Sequence, residues 1–133
     1  MITLNEFLRG ANYDVLDQKI KDNIKILLER VNKIRDIWGR AMIVTSGLRT
    51  MEDHLRIYAQ KGITDLKKIP MKSSHLNGCA IDIADSHLEL TAFLKKDGSK
   101  ILVDNELWCE DGNKNWVHLQ INPPASGNRW FKP

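Results

Sequence analysis

Two histidines and one aspartate, His75, Asp82 and His118, are the residues of this chain whose types and spacing suit chemistry. His75 and Asp82 stand in the stretch Ser73-Ser-His-Leu-Asn-Gly-Cys-Ala-Ile-Asp-Ile-Ala-Asp85, where Gly78 can turn the chain sharply and the residues after it read as a short buried strand. Alternate strand residues share a face, so Cys79, Ile81 and Ile83 form an apolar set. Asp82 emerges on the other face between Ala80 and Ala84, whose small side chains leave room beside the carboxylate, and a turn at Gly78 folds His75 over it. The run Trp116-Val-His-Leu-Gln-Ile121 alternates likewise, with His118 leaving on the face away from Val117, Leu119 and Ile121. Two imidazoles and a carboxylate make a three-ligand set for a metal, most simply zinc. Such a set leaves zinc a fourth position for water, as in catalytic rather than structural sites. The plain alternative is a satisfied histidine capping a strand beside a solvated aspartate.

The pattern Ser-x-His-x-x-Gly-x-Ala-x-Asp over Ser73, His75, Gly78, Ala80 and Asp82, followed by Trp116-x-His118, resembles the zinc D-alanyl-D-alanine carboxypeptidase family. That family includes L-alanyl-D-glutamate endopeptidases of phage lysis and the vancomycin-resistance dipeptidases. Thr45-Ser-Gly-Leu-Arg49 is similar to the family's Ser-Gly-x-Arg segment, and Arg129-Trp130 to an Arg-Trp near the end of some members. The resemblance implies one zinc ion per chain on His75, Asp82 and His118. It implies that Arg49 binds a substrate carboxylate through its planar fork, where the competing reading is a structural ion pair. Ser73 would orient a ligand or substrate by hydrogen bonding, and Trp116 would wall the substrate pocket or simply pack. The implied activity is hydrolysis of peptidoglycan stem peptides, at a D-alanyl-D-alanine end or between L-alanine and D-glutamate, by a phage or prophage lytic enzyme.

The chain departs from the family at one position. Many members carry an acid three residues before the last histidine, and here that residue is Asn115, which cannot take a proton. The nearest acids are Glu110 and Asp111, with Glu106 further back; Glu110, extending from the end of a strand, is the first candidate base and Asp111 the second. A solvated hairpin acid is the competing reading of Glu110. Asn115 also keeps open a second function, a zinc-containing wall-binding or virion module that does not hydrolyse. A closed structural zinc site of His75, Cys79, Cys109 and His118 is a third reading, opposed by the alternation that turns Cys79 away from Asp82.

Around these residues the chain reads as an ordinary globular protein. Its 133 residues, 42% apolar and 28% charged, suit one domain over 1–133. The net charge of +3 has no dense basic tract, only a loose cluster of Lys67, Lys68 and Lys72; it fits wall polymers as readily as nucleic acid and selects neither. The expected partners are peptidoglycan peptides, with no nucleic acid and no membrane, bound by a monomer. The opening Met-Ile-Thr-Leu-Asn-Glu lacks the basic and apolar regions of a signal peptide, and no run approaches the roughly 18 apolar residues of a membrane span. Synthesis in the cytoplasm, then action on the wall after release or export by another route, is the expectation. Cys79 and Cys109 are expected as buried free thiols.

The elements that must hold the site follow from periodicity and capping. Thr3-Leu-Asn-Glu6 spells a capping box for a short helix. Apolar residues recurring at three and four from Asp14 to Trp38 predict the main scaffold helix, stopped by Gly39. Ala41–Thr45 reads as an interior strand delivering Arg49, and Thr50 caps a helix through Ala59 that bears His54. Asp85 or Ser86 caps a helix through Lys96, with an exposed His87 at its start; Ile101–Val103 and Leu107–Cys109 read as strands, the latter joined by a hairpin to the His118 strand. The fold class is α+β: a small antiparallel or mixed sheet carrying the zinc site, with one long and several short helices packed on it.

Overall fold

Residues 1–69 and 73–132 are described by a computed structural model, so Pro70 and Lys72 of the lysine-rich loop lie outside the described residues. Thr3 opens α1 (Leu4–Leu8) through a reciprocal capping box, its hydroxyl accepting from the Glu6 amide and the Glu6 carboxylate from the Thr3 amide, both at 3.2 Å. The scaffold helix is α2 (Gln18–Trp38). Gly39 ends it in the left-handed region at φ +74°, donating its amide to the Arg35 carbonyl at 2.8 Å. Ile24, Leu27, Val31 and Ile34 are buried along one face of α2, each contributing about 2 kcal/mol by leaving water. The helix starts later than its apolar stripe suggests. Tyr13–Val15 form a separate 3-10 turn, and Val15, 76% exposed, joins no core.

The sheet has five strands among the described residues: β1 (Val44–Ser46), β2 (Ala80–Ala84), β3 (Trp108–Glu110), β4 (Trp116–Gln120) and β5 (Trp130–Phe131). Their order is β1-β2-β4-β3-β5, antiparallel except for the parallel β3–β5 pair, so the sheet is mixed. On one face Ile81, Ile83, Val117, Leu119 and Cys109 join the buried residues of α2, Phe7 of α1 and Leu90, Leu94 and Leu102 of α4 (Glu89–Asp104) in a single core. This is the expected α+β arrangement. Because β2 and β4 alternate, burying that apolar set sends Asp82 and His118 to the other face together.

Two expected strands differ from the structure. β1 covers only Val44–Ser46 and lies at the sheet edge, not inside it, with β2 its one strand neighbour among the described residues; Ile43, just before it, is 68% exposed. Ile101–Val103 is helical. The chain leaves helical geometry at Lys96–Ser99, with Asp97, Gly98 and Ser99 all at positive φ, and then re-enters the helix, so Leu102 reaches the core from a helical turn. A three-residue apolar run carries no periodicity that separates the two outcomes. The N-cap of α4 is Leu88, not the expected Asp85 or Ser86, but Asp85 still serves the helix start from three residues upstream, accepting the Leu90 and Thr91 amides at 2.9 and 2.8 Å. The tail docks through Trp130, whose indole N–H donates to Ser99 Oγ at 2.7 Å, and Arg129, stacked 4.4 Å over the Trp108 ring. Among the described residues no helix is long and apolar enough to cross a membrane.

Candidate metal centre

The pairing of β2 with β4 sets Asp82 directly opposite His118. Cross-strand partners on one face hold their side chains about 5 Å apart at Cβ, and here the side chains close that gap: His118 Nδ1 lies 2.9 Å from Asp82 Oδ1. His75 arrives from the preceding turn. Gly78 sits at φ +72°, and a Cβ there would come within 2.7 Å of Ile24 Cγ1, so the turn presses against α2 and throws His75 over β2. Its Nε2 stands 3.4 Å from the same Asp82 oxygen. One ligand atom from each of the three residues lies within 4.8 Å of the others.

The outer ring nitrogens fix what the inner ones present. His75 Nδ1 is 2.9 Å from the Gly47 carbonyl, an acceptor, so that nitrogen carries the proton. Gln120 donates its amide nitrogen to the Asn122 carbonyl at 2.8 Å, which turns Oε1 toward His118 Nε2 at 2.8 Å and makes that nitrogen a donor as well. With both outer nitrogens protonated, two imidazole lone pairs and a carboxylate oxygen face one another. Three acceptors converging in a buried place, with His75 and His118 only 5% and 8% exposed, form a group that could hold a cation between them. Either a proton on His118 or a metal would serve, and carbonyl-oriented histidines are the usual outer shell of a metal site. Ligands at about 2.1 Å in a tetrahedron stand about 3.4 Å apart, the scale of the spacings observed, so the donor set fits zinc.

Electrostatics agree with this geometry. Burial works to raise the Asp82 carboxyl, but hydrogen bonds and charge from His118 and His75 outweigh it and hold the group at about 2. Burial likewise opposes the charged form of His118; the Asp82 carboxylate, then Gln120 and Glu110, overcome it and raise the ring above its ordinary value.

The remaining candidates are distributed around this centre. Trp108 pairs with Gln120 across β3–β4, so alternation puts Glu110, two residues on, on the site face, where its charge acts on the His118 ring. Asn113 ties Glu110 to Trp116: in the amide orientation that satisfies both, its nitrogen donates to Glu110 Oε1 at 3.1 Å and its oxygen accepts from Trp116 Nε1 at 3.2 Å. Asp111 is not brought to the site. Alternation turns it away from Glu110, and its carboxylate pairs with Lys95 of α4 at 3.7 Å. Ser73 belongs to the turn that carries His75, its carbonyl accepting the Leu76 amide. Arg49 donates its amide to the His75 carbonyl at 3.1 Å, and its Nη1 stands 3.3 Å from Nδ1 of His54, a buried residue of α3 (Met51–Gln60). The exposed Asn115 bonds the Asp85 amide through its carbonyl.

Both cysteines are free and buried, and neither thiol joins the ligands. Cys109 lies in the core, where burial pushes its thiol far up, and Cys79 points its Sγ at the Asn77 carbonyl. A closed site built on them is thereby set aside.

Three contributors escaped the sequence reading. Gln120 could have been found, since it shares a strand face with His118. The Gly47 carbonyl carries no residue-type signal. Phe131 reaches the site face because β5 pairs with β3, and its ring meets His118 edge-on at 6.1 Å. No protein-family model, no curated protein and no solved structure matches this chain.

Proposed function

We propose that the chain is a zinc-dependent peptidase hydrolysing peptidoglycan stem peptides, of D-alanyl-D-alanine carboxypeptidase or L-alanyl-D-glutamate endopeptidase type, serving a phage or prophage in cell-wall lysis. The observation that carries this reading is the convergence of His75 Nε2, His118 Nδ1 and the Asp82 carboxylate, with Glu110 on the same sheet face. The motif spelled by Ser73, His75, Gly78, Ala80 and Asp82 supplies the substrate class by resemblance. When bound there, zinc supplies a water acidified toward neutrality and an electrophile for the scissile carbonyl. Glu110 would act as the general base, taking a proton from the attacking water and passing it to the leaving amine. Asn113 holds Glu110 in place. Arg49, anchored through its backbone to His75, pairs with a substrate carboxylate, while Trp116 and Phe131 wall the cleft.

Mass spectrometry of defined muropeptides incubated with the zinc-loaded protein, with and without chelator, tests the reading. A chelator-sensitive cleavage product is expected, and its mass identifies the bond. A second reading is favoured by Asn115, whose amide cannot act as a base: the centre binds zinc and wall peptide without cutting. Intact peptides with one zinc retained per chain would replace the first reading by the second.

A further inference from the structure

An elongated groove of about 630 Å³ lies between α2 and the segment Met1–Leu4, and none of His75, Asp82 and His118 lines it. One wall is a single stripe of α2 at three- and four-residue spacing, Lys21, Ile24, Lys25, Leu28, Glu29 and Asn32. From Lys21 to Asn32 that stripe runs about 16 Å, at ~1.5 Å of rise per residue. Tyr13 faces the Lys21 end, where Lys21 Nζ stands 5.0 Å from the centre of its ring. The Met1–Leu4 segment faces the Asn32 end, where Asn32 accepts the Ile2 amide at 2.7 Å and donates to the Ile2 carbonyl at 3.1 Å. The two ends differ in polarity. At the Asn32 end Asn32 is engaged with Ile2, and Thr3 closes its amide and hydroxyl on Glu6, while Ile2, Leu4 and Leu28 make the lining apolar. At the other end stand Lys21 and Lys25, and among the described residues neither ammonium has a carboxylate partner.

An occupant complementary to these walls is apolar along most of its length and acidic at one end. An extended peptide does not fit, because its amides would be buried against walls that offer them no partners. A docked helix does not fit either: at ~10–12 Å across with its side chains, about 16 Å of it fills more than ~1,200 Å³, twice the space. An acyl chain carries no polar group along its length and gains affinity with each methylene taken from water. We propose that the groove binds a single-chain fatty acid, with its carboxylate between Lys21 and Lys25 and its chain along Ile24 and Leu28 toward Ile2 and Leu4. Glu29, further along the stripe, opposes the reverse orientation by repelling an acid head. The site is separate from the metal centre and stands or falls independently of the peptidase reading.

Calorimetric titration of the full chain with laurate, below the concentration at which laurate forms micelles, tests the proposal on zinc-loaded and on chelator-treated protein. Saturable binding of equal affinity in the two forms is expected. Binding seen only with zinc places the carboxylate on the metal and overturns the groove. From octanoate through decanoate to laurate, each added methylene is expected to tighten binding by up to about fourfold. Laurate is expected to bind about tenfold tighter than dodecanol, which has the same chain and no charge. Replacing both lysines, Lys21→Gln with Lys25→Gln, is expected to erase that preference and leave dodecanol binding within about twofold. Lys25 is exposed and Lys21 partly so, and an unchanged unfolding temperature verifies that the double variant keeps its fold. Absence of laurate binding, or an acid preference that survives both substitutions, overturns the proposal. Sedimentation and vesicle flotation report on other occupants: dimerisation through this face, or binding to phosphatidylglycerol vesicles without uptake of free laurate, overturns it as well.

Discussion

At the scale of single residues, the candidate metal centre depends on atoms that face away from the converging ligand atoms. Replacing Asp82 by Asn leaves two imidazoles and a neutral amide, and metal analysis of the purified variant is expected to show zinc lost. Gln120→Leu keeps all three ligands but removes the acceptor that sets the His118 tautomer, and a competition titration should show zinc affinity lower by about 10- to 100-fold. Glu110→Gln is expected to hold zinc normally while turnover of a cleaved muropeptide falls by about 10²- to 10⁴-fold. Acid acts on the site through His118. Asp82 stays ionised down to about 2, whereas the His118 ring is held above its ordinary 6.5 by that carboxylate, so protons begin to displace metal at a higher pH than for a free imidazole. Zinc affinity should therefore fall as pH drops between about 8 and 5, read by competition with a chelator. Without metal the sign reverses: the raised pKa adds stability below 6.5 that is lost as pH rises through the folded value.

At the scale of elements, the sheet aims the ligands and the turns lock them. A Cβ on Gly47 would overlap the Phe7 carbonyl oxygen, which already accepts the Leu48 amide at 3.0 Å. Gly47→Ala must push α1 from β1, and urea denaturation is expected to show a loss of about 1–3 kcal/mol, with weaker zinc binding because the same residue's carbonyl orients His75. Asp85→Ala is a contrast on the core side. It removes acceptors from the first turn of α4 and should cost about 1–2 kcal/mol without altering zinc affinity. Capping chemistry made the starts of α1, α3 and α4 legible, since Thr3, Thr50 and Asp85 each accept amides of the turn that follows. Ile101–Val103 was not legible, because its helical outcome is set by the left-handed residues before it and by the core Leu102 must reach.

At the scale of the whole molecule, one core lies between the helices and one sheet face, and the metal residues occupy the other face. The core is complete without metal, so chelation is expected to leave far-UV circular dichroism nearly unchanged while lowering the unfolding temperature. Restoring zinc at 100 times its dissociation constant should return about 2.7 kcal/mol. The sequence by itself determined the three residues that could hold a metal and the class of fold, because strand alternation is local: once Ile81 and Leu119 are buried, Asp82 and His118 share the opposite face. Only the tertiary structure decided which acid stands near them. Glu110 and Asp111 are adjacent in sequence and equal in chemistry, yet one lies on the site face of β3, where its charge acts on His118, and the other pairs with Lys95. It alone joined the Gly47 carbonyl and Phe131 to the site, since their positions depend on contacts between segments far apart in the chain, which no local pattern encodes.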